Sequence, residues 1–443
     1  MKRFFLILIV LALVAAGAAA WIVLGPGPLA FAGGNPVALA DYKAADPTGV
    51  PAGLKNASLI ERGEYLARAA DCEACHTTKD GAPFAGGLAF NLPFGTLYSP
   101  NITPDKETGI GNWSDGDFLQ AIHKGIAPDG TRLYPAFPYA AYTMITEADA
   151  LAIKAYLFSL KPVHAPEQPN TLKFPYNQRW LMTFWSAFFN PDARFQPNPD
   201  KSPEWNRGAY LAEAMAHCGD CHTPRNLGQA IDNRKKFAGA VAAGWKAYNI
   251  TQDKDSGIGG WSDEALAQFL STGHAEGFGT ASGPMGEAVD KSLMHLAPED
   301  IKALVTYLRS VPAISDPDLP APKTAPAAAA LMASADDAHA AALFSGACAG
   351  CHGWTGTSPV LTYASFTGAR SVNDPSARNV AQAIVWGVNR QTPSGPVNMP
   401  AFGSSYSDAE IAILANYVTA RFGAAASRIT AMDVARIRRE VSQ

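Results

Sequence analysis

Cys72-Glu73-Ala74-Cys75-His76, Cys218-Gly219-Asp220-Cys221-His222 and Cys348-Ala349-Gly350-Cys351-His352 are three copies of one pattern, C-x-x-C-H. Together they use all six cysteines of the 443-residue chain. Two cysteines three positions apart lie on one side of a helical turn, so both sulfurs can reach one edge of a flat ligand. A histidine directly after the second cysteine then sits beneath the ligand's face. This is the spacing of c-type haem attachment, in which the sulfurs bond the two porphyrin vinyl groups and the imidazole takes the iron. Three disulfides would suit an exported chain, but they do not call for a histidine after every pair. Zinc would want a second Cys/His pair nearby, whereas successive pairs start 146 and 130 residues apart. A thioredoxin-like redox pair has no need of the histidine. The cysteines therefore predict three covalently bound haem c groups. Cys72, Cys75, Cys218, Cys221, Cys348 and Cys351 would hold them, with His76, His222 and His352 on the irons.

Outward from these motifs the chain repeats itself. Arg62-Gly63-Glu64-Tyr65-Leu66-Ala67 precedes the first and Arg207-Gly208-Ala209-Tyr210-Leu211-Ala212 the second, each reading as a short helix that delivers its cysteines. NITPDKETGIGNWSD (Asn101 to Asp115) matches NITQDKDSGIGGWSD (Asn249 to Asp263) at 11 of 15 positions, so the first two units are duplicates. The third unit lacks this segment and is shorter. The Gly-Ile-Gly triplets at 109–111 and 257–259 fall in these repeated loops and read as structural, not as a dinucleotide fingerprint. Each unit closes with a similar helix, in which Asp149, Asp300 or Glu410 stands seven residues before Tyr156, Tyr307 or Tyr417. Apolar residues recur there at helical spacing, as in Ile301, Leu304, Leu308 and Ile411, Leu414, Val418. That stripe is expected to pack on the haem-motif helix, and an acid near the helix start suits the macrodipole.

A haem iron with histidine on one face and methionine on the other is closed to substrates, and the thioether raises its reduction potential. Methionines between each motif and its closing helix are thus the candidate sixth ligands. Met399, in a Pro-flanked loop, serves the third unit, while Met432 lies beyond the helix and reads as packing. Met285 in Gly283-Pro284-Met285-Gly286, again read as a loop, serves the second, with Met294 as its rival. Met144 serves the first by elimination, with His123 as the alternative. His164, His217, His274, His295 and His339 have no ligand spacing and read as structural or surface residues.

The expected fold is mainly α: three tandem class I-like cytochrome c domains with long loops, preceded by an N-terminal transmembrane helix. The boundaries are 57–161, 205–312 and 336–423. Residues 162–204 form a Pro- and aromatic-rich linker, 313–335 a semi-rigid Pro/Ala spacer and 424–443 a tail given no role. The middle of the first linker, FPYNQRWLMTFWSAFF, is too apolar for a solvated tether. It is expected to cover the haem domains, a partner subunit or the membrane. Composition agrees: 39 Gly and 33 Pro make about 16% of the chain against a usual ~12%, as long stiffened loops require. A net charge of −4 excludes a broadly basic nucleic-acid binder.

Lys2 and Arg3 precede an uncharged run, residues 4–24, which as a helix spans about 30 Å, a bilayer's hydrocarbon thickness. The next charge is Asp41. Residues 1–3 are therefore expected in the cytoplasm and everything after the run outside. A cleaved signal peptide is the competing reading, because Ala30-Phe31-Ala32 before Gly33 is an acceptable cleavage site. The run exceeds the usual apolar region of such peptides, which favours an anchor. Either reading exports the haem domains, to the periplasmic side of a bacterial inner membrane.

With the motifs in hand, the chain resembles the triheme cytochrome c subunit of membrane-bound bacterial dehydrogenases. These include the alcohol, aldehyde and gluconate types and those paired with molybdenum hydroxylases. The resemblance runs from about residue 57 to 422. It rests on the three haem motifs, the duplicated NIT…GIG-WSD segment, Leu133-Tyr134-Pro135-Ala136-Phe137-Pro138-Tyr139, Cys221-His222-Thr223-Pro224-Arg225-Asn226 and the Gly-Pro-Met run. Many alcohol-type relatives carry a methionine at the position of Phe137; relatives with phenylalanine there use one a few residues on, which fits Met144. The resemblance implies electron transfer from a catalytic dehydrogenase subunit (quinoprotein, flavoprotein, or molybdopterin with iron–sulfur clusters) to ubiquinone or a terminal oxidase. Substrate chemistry would lie in the partner, so no catalytic residue is expected here. Two rivals remain: a haem enzyme such as a peroxidase, with an open first haem, and a free-standing periplasmic electron carrier.

Overall fold

Serine caps set most helix starts. Ser58, Ser114, Ser202, Ser262 and Ser407 each accept a hydrogen bond from the backbone N–H three residues on, satisfying a donor that the first helical turn leaves free. Two of them, Ser114 and Ser262, are the serines of the repeated Trp-Ser-Asp. In a computed structural model, residues 2–24, 46–325, 327 and 335–440 are described. The cleavage site at 30–33 and part of the Pro/Ala spacer lie outside them.

The first helix, α1, is Lys2–Leu24. Unit one comprises α2 (Leu59–Ala69), α3 (Cys72–His76), the hairpin β1 (Ala89–Leu92) and β2 (Gly95–Tyr98), α4 (Asp115–Lys124), α5 (Tyr139–Tyr142) and α6 (Glu147–Ser159). The aromatic linker forms α7 (Leu181–Phe189). Unit two comprises α8 (Pro203–Tyr210), α9 (Gly219–His222), β3 (Ala240–Ala242), β4 (Trp245–Ala247), α10 (Asp263–Thr272), β5 (His274–Ala275), β6 (Gly279–Thr280), α11 (Gly283–Lys291) and α12 (Pro298–Arg309). Unit three comprises α13 (Ala335–Ala347), α14 (Ala349–His352), α15 (Arg378–Trp386), β7 (Val388–Thr392), β8 (Gly395–Met399), α16 (Asp408–Phe422) and α17 (Ala431–Glu440). Among the described residues the strands pair only as four antiparallel hairpins, so the fold is mainly α, as the sequence predicts.

In each unit the closing helix packs on the helix before the haem motif: α6 on α2, α12 on α8 and α16 on α13. The first two crossings are tight. A Cβ on Gly63 would lie 1.9 Å from Ala152 O, and one on Gly208 1.9 Å from Ala303 O. That close approach is what the glycine of each Arg-Gly repeat permits. Between Tyr210 and Cys218 there is one residue more than between Tyr65 and Cys72. The structure absorbs it as a π-helical turn, Leu211–Met215, continuing α8.

Units one and two share a single core that runs from Tyr65 to Val311, whereas unit three has its own around Phe344. The described parts of the second linker are docked, not free: Leu319 is buried, and Lys323 N donates to Asn373 Oδ1 at 2.8 Å. The tail is also structural, with Val434 and Ile437 of α17 buried in the third core. Met432 belongs to that helix but is 80% exposed, so its reading as a packing residue is corrected. In α1 the side chains of residues 4–17 are described and exposed. Among the described residues no helix is long and apolar enough to cross a membrane.

Candidate functional site

The three C-x-x-C-H motifs sit alike. Each histidine ends a short helix and bonds a backbone carbonyl through Nδ1: His76 to Pro100 O at 2.8 Å, His222 to Tyr248 O at 2.6 Å, His352 to Ala364 O at 2.6 Å. Because a carbonyl only accepts, Nδ1 carries the proton and Nε2 keeps its lone pair. Burial pushes all three imidazoles below the ordinary pKa, which favours the neutral, ligating form.

In units one and two the accepting carbonyl belongs to the residue directly before the repeated Asn-Ile-Thr. Asn101 Nδ2 bonds Val163 O at 2.7 Å and Thr108 Oγ1 at 3.1 Å; Asn249 Nδ2 bonds Ile314 O at 2.6 Å and Ser256 Oγ at 3.0 Å. The duplicated segment thus pins the carbonyl that orients each histidine. Its Gly-Ile-Gly has a related task. A Cβ on Gly109 or Gly257 would stand 2.3 or 2.4 Å from the carbonyl of Thr103 or Thr251, so these glycines let the loop fold onto itself. Unit three, lacking the segment, supplies its carbonyl from a single 3₁₀ turn, Thr362–Ala364.

The six cysteines are free thiols. Desolvation pushes Cys72 and Cys218 up to about 12 and Cys221 and Cys348 up to about 11. Thiols held neutral in this way are poor candidates for a redox pair or a thiolate metal site. Among the described residues no three His, Cys, Asp or Glu side chains are grouped to hold a metal ion. A paired-thiol helix with one oriented imidazole, and no such cluster of protein donors around it, fits a haem, which brings four nitrogens of its own.

The candidate sixth ligands differ in setting. Met144 is buried after α5. With Phe137 it lines a cavity of about 230 Å³ completed by Trp185, Phe188 and Phe189 of α7 and by His217. Met285 is not in a loop as expected; Pro284 starts α11, placing Met285 in its first turn, half-buried against the shared core. Its rival Met294 is also half-buried there. Met399 ends β8 and packs on the third core. His123, the alternative in unit one, is buried with Nε2 bonded to Ile145 O at 3.0 Å. Burial, followed by the charge of Arg194, lowers its pKa to about 4.

Motif spacing gives no hint of how the first two sites meet. Tyr65 of α2 crosses the seam: its hydroxyl donates to Asp300 Oδ2 at 2.6 Å and accepts from Ala297 N at 3.0 Å. Tyr210 of α8 makes the reciprocal crossing, to Asp149 Oδ2 at 2.6 Å and from Thr146 N at 3.4 Å. Each carboxylate also binds the arginine of its own unit, Arg62 or Arg207. Across the same seam Lys291 pairs with Glu73, and the Tyr142 ring lies 5.4 Å from His217. Cys221 is near enough to Cys75 to help raise that thiol's pKa, after burial and closer charges. The first two motifs therefore face one another. The acid-to-tyrosine spacing repeated in every unit is the sequence signal that marks the two carboxylates.

Known proteins agree with this geometry. Residues 206–312 match the cytochrome c family, and residues 335–418 match cytochrome c oxidase, cbb3-type, subunit III. The chain is 40% identical to the fructose dehydrogenase cytochrome subunit of Gluconobacter japonicus, over 86% of this chain and 82% of that one. The chain belongs to the family of dehydrogenase cytochrome c subunits. It is also similar to the gluconate 2-dehydrogenase cytochrome c subunit of Pantoea cypripedii (37% identical, 87% and 90% covered). Its match to a component of the nicotinate dehydrogenase of Pseudomonas putida (40% identical, 85% of this chain) takes in 31% of that protein. Membership implies covalently bound haem c, electron transfer and a dehydrogenase partner.

Proposed function

We propose that the chain carries three haems c and passes electrons from a catalytic dehydrogenase subunit, outside the cytoplasm, to ubiquinone or a terminal oxidase. The observation that carries this reading is the threefold Nδ1-to-carbonyl hydrogen bond, which leaves Nε2 of His76, His222 and His352 to take an iron. Haem, when bound, supplies a one-electron couple. The chain's own residues do the rest. Six cysteines fix the rings, carbonyls of Pro100, Tyr248 and Ala364 aim the imidazoles, and the proposed Met144, Met285 and Met399 close the opposite faces to substrates. Cytochrome domains at 57–161, 205–312 and 336–423 are part of this proposal, as is anchoring through α1 in a bacterial inner membrane. The substrate belongs to the partner. Fructose, gluconate and nicotinate in the relatives' names keep the class at small polyols, sugar acids, alcohols, aldehydes or N-heterocycles.

The test is mild extraction from native membranes, capture through this chain, and identification of its companions together with haem counting per chain. A large dehydrogenase subunit and three haems support the reading, and that subunit's cofactor names the substrate class. Repeated recovery of the chain alone refutes the fixed-subunit reading. A strong response of the reduced protein to carbon monoxide would instead favour an open haem and an enzyme.

A further inference from the structure

Helix α7 has no charged residue. Trp180, its N-cap, and Phe184 and Phe188 recur four apart, so they share one face; they are 61%, 58% and 59% exposed. Phe174 (80%) and Tyr176 (45%) extend the patch along the approach to the helix. Unit two adds Leu227, 88% exposed, because the neighbouring Gly228 is held to α7: its carbonyl accepts from Trp185 Nε1 at 2.8 Å. The opposite face is fastened to unit one, with Tyr139 OH 3.2 Å from Ser186 Oγ and its ring edge-on to Trp185. The helix is therefore rigidly mounted and presents a row of uncovered rings. Residues 168–191 contain Lys173 and Arg179 and no acid, in a chain of net −4.

We infer that this face lies on an anionic lipid bilayer, as a second membrane contact besides α1; the inference rests on the anchored reading proposed above. Aromatic rings flanked by Lys and Arg on an amphipathic helix suit the headgroup level of a membrane, and the two cations complement anionic lipid. The tether supplies the second argument. Residues 25–45 separate α1 from the body, which begins where Gly49 N bonds Asp149 Oδ2. A segment of that length reaches at most about 70 Å, so the bilayer is always within range of this face. A tethered surface has a high effective concentration, and a patch too weak to bind alone is then held down.

The test uses the full haem-loaded chain in vesicles of phosphatidylethanolamine and phosphatidylglycerol. A diazirine that partitions into lipid is photolysed, and labelled residues are mapped by mass spectrometry. Label on both α1 and Trp180, Phe184 and Phe188 is the expected result. A Phe184→Glu/Phe188→Glu variant should lose the second set, keep the first and retain its haem spectrum, since both side chains are exposed. Label on α1 alone overturns the second contact and leaves the anchor standing. Label on neither overturns the anchor and the inference with it. If label on residues 174–188 vanishes once the catalytic subunit is added, the face is that subunit's seat and the lipid assignment is wrong.

Discussion

Replacing Tyr210 with phenylalanine should loosen the seam between the first two units and leave the third alone. Tyr210 is fully buried, and its hydroxyl both donates to Asp149 Oδ2 and accepts from Thr146 N, the N-cap of α6. Tyr210→Phe keeps the ring and its edge contact with Phe195, so what is lost is a hydrogen bond to a buried carboxylate, about 1.5–3 kcal/mol. Asp149 keeps Gly49 N and Arg62, which holds the loss below the ~3–5 kcal/mol of an abandoned buried charge. For a body of roughly 250 residues, each kcal/mol moves Tm by about 2–4 °C, giving a fall of about 3–12 °C. Tyr65→Phe should behave alike at Asp300. Since the two tyrosines bind different carboxylates, the double variant should come close to the sum. Differential scanning calorimetry of the haem-loaded chain reads both parts of the claim, because the separate core of unit three gives a second transition that should stay put. A shift below about 1 °C would mean the hydroxyl contributes no net stability, and equal movement of both transitions would contradict the division of cores.

Gly63→Ala or Gly208→Ala should destabilise the same body by about 1–3 kcal/mol or more, read by denaturant titration, because each new methyl meets a helix carbonyl. His123 sets a pH dependence. Its pKa is about 4 in the folded chain against an ordinary ~6.5, so the unfolded state binds the extra proton between those values. Stability is therefore full above pH ~6.5 and falls as pH drops toward about 4; His123→Gln should flatten Tm against pH in that window. Arg390 is buried and holds Asp290 through Nε at 2.9 Å and Nη2 at 2.7 Å. Arg390→Met should cost about 3–5 kcal/mol at the seam between units two and three, seen as faster proteolysis near residues 312–335. Met285→Ala and Met399→Ala should each open one haem per chain to carbon monoxide in reduced spectra, while Met294→Ala should open none.

Local chemistry is legible in the sequence wherever it depends on neighbours along the chain. C-x-x-C-H, the serine caps and the closing helices all have that character. Met285 reads as a loop residue because Gly-Pro usually breaks structure, yet Pro284 stands where a first helical turn needs no N–H. Met432 misleads because the buried stripe of α17 runs through Val434 and Ile437, and Met432 falls on the other side. The crossed tyrosines are visible only as a spacing. Periodicity places Tyr65 and Tyr210 on a buried face, but does not say whose acid they meet. Asp149 and Asp300 fit a macrodipole reading equally well, and only the packing of one unit on another reveals that each closing helix is fastened by its neighbour's hydroxyl.

The two seams are built from different physics, and that difference bears on how electrons would cross them. Between units one and two the contact is a continuous apolar core stitched by buried tyrosine–carboxylate bonds, which leaves little freedom to slide. Between units two and three it is polar: Asn379 exchanges two hydrogen bonds with Lys246, Tyr248 OH reaches Asp374, and Arg390 binds Asp290 and Ala281 O. Water can replace polar bonds one at a time with little net cost each, whereas a shared core opens only as a whole. A fixed distance is therefore built into the first pair of motifs, and any adjustment of spacing on docking a partner would fall at the second seam. Hydrogen exchange on the haem-loaded chain should accordingly find the amides of β4 and β7 opening well before those of α2 and α8; the reverse order would place the hinge at the wrong seam.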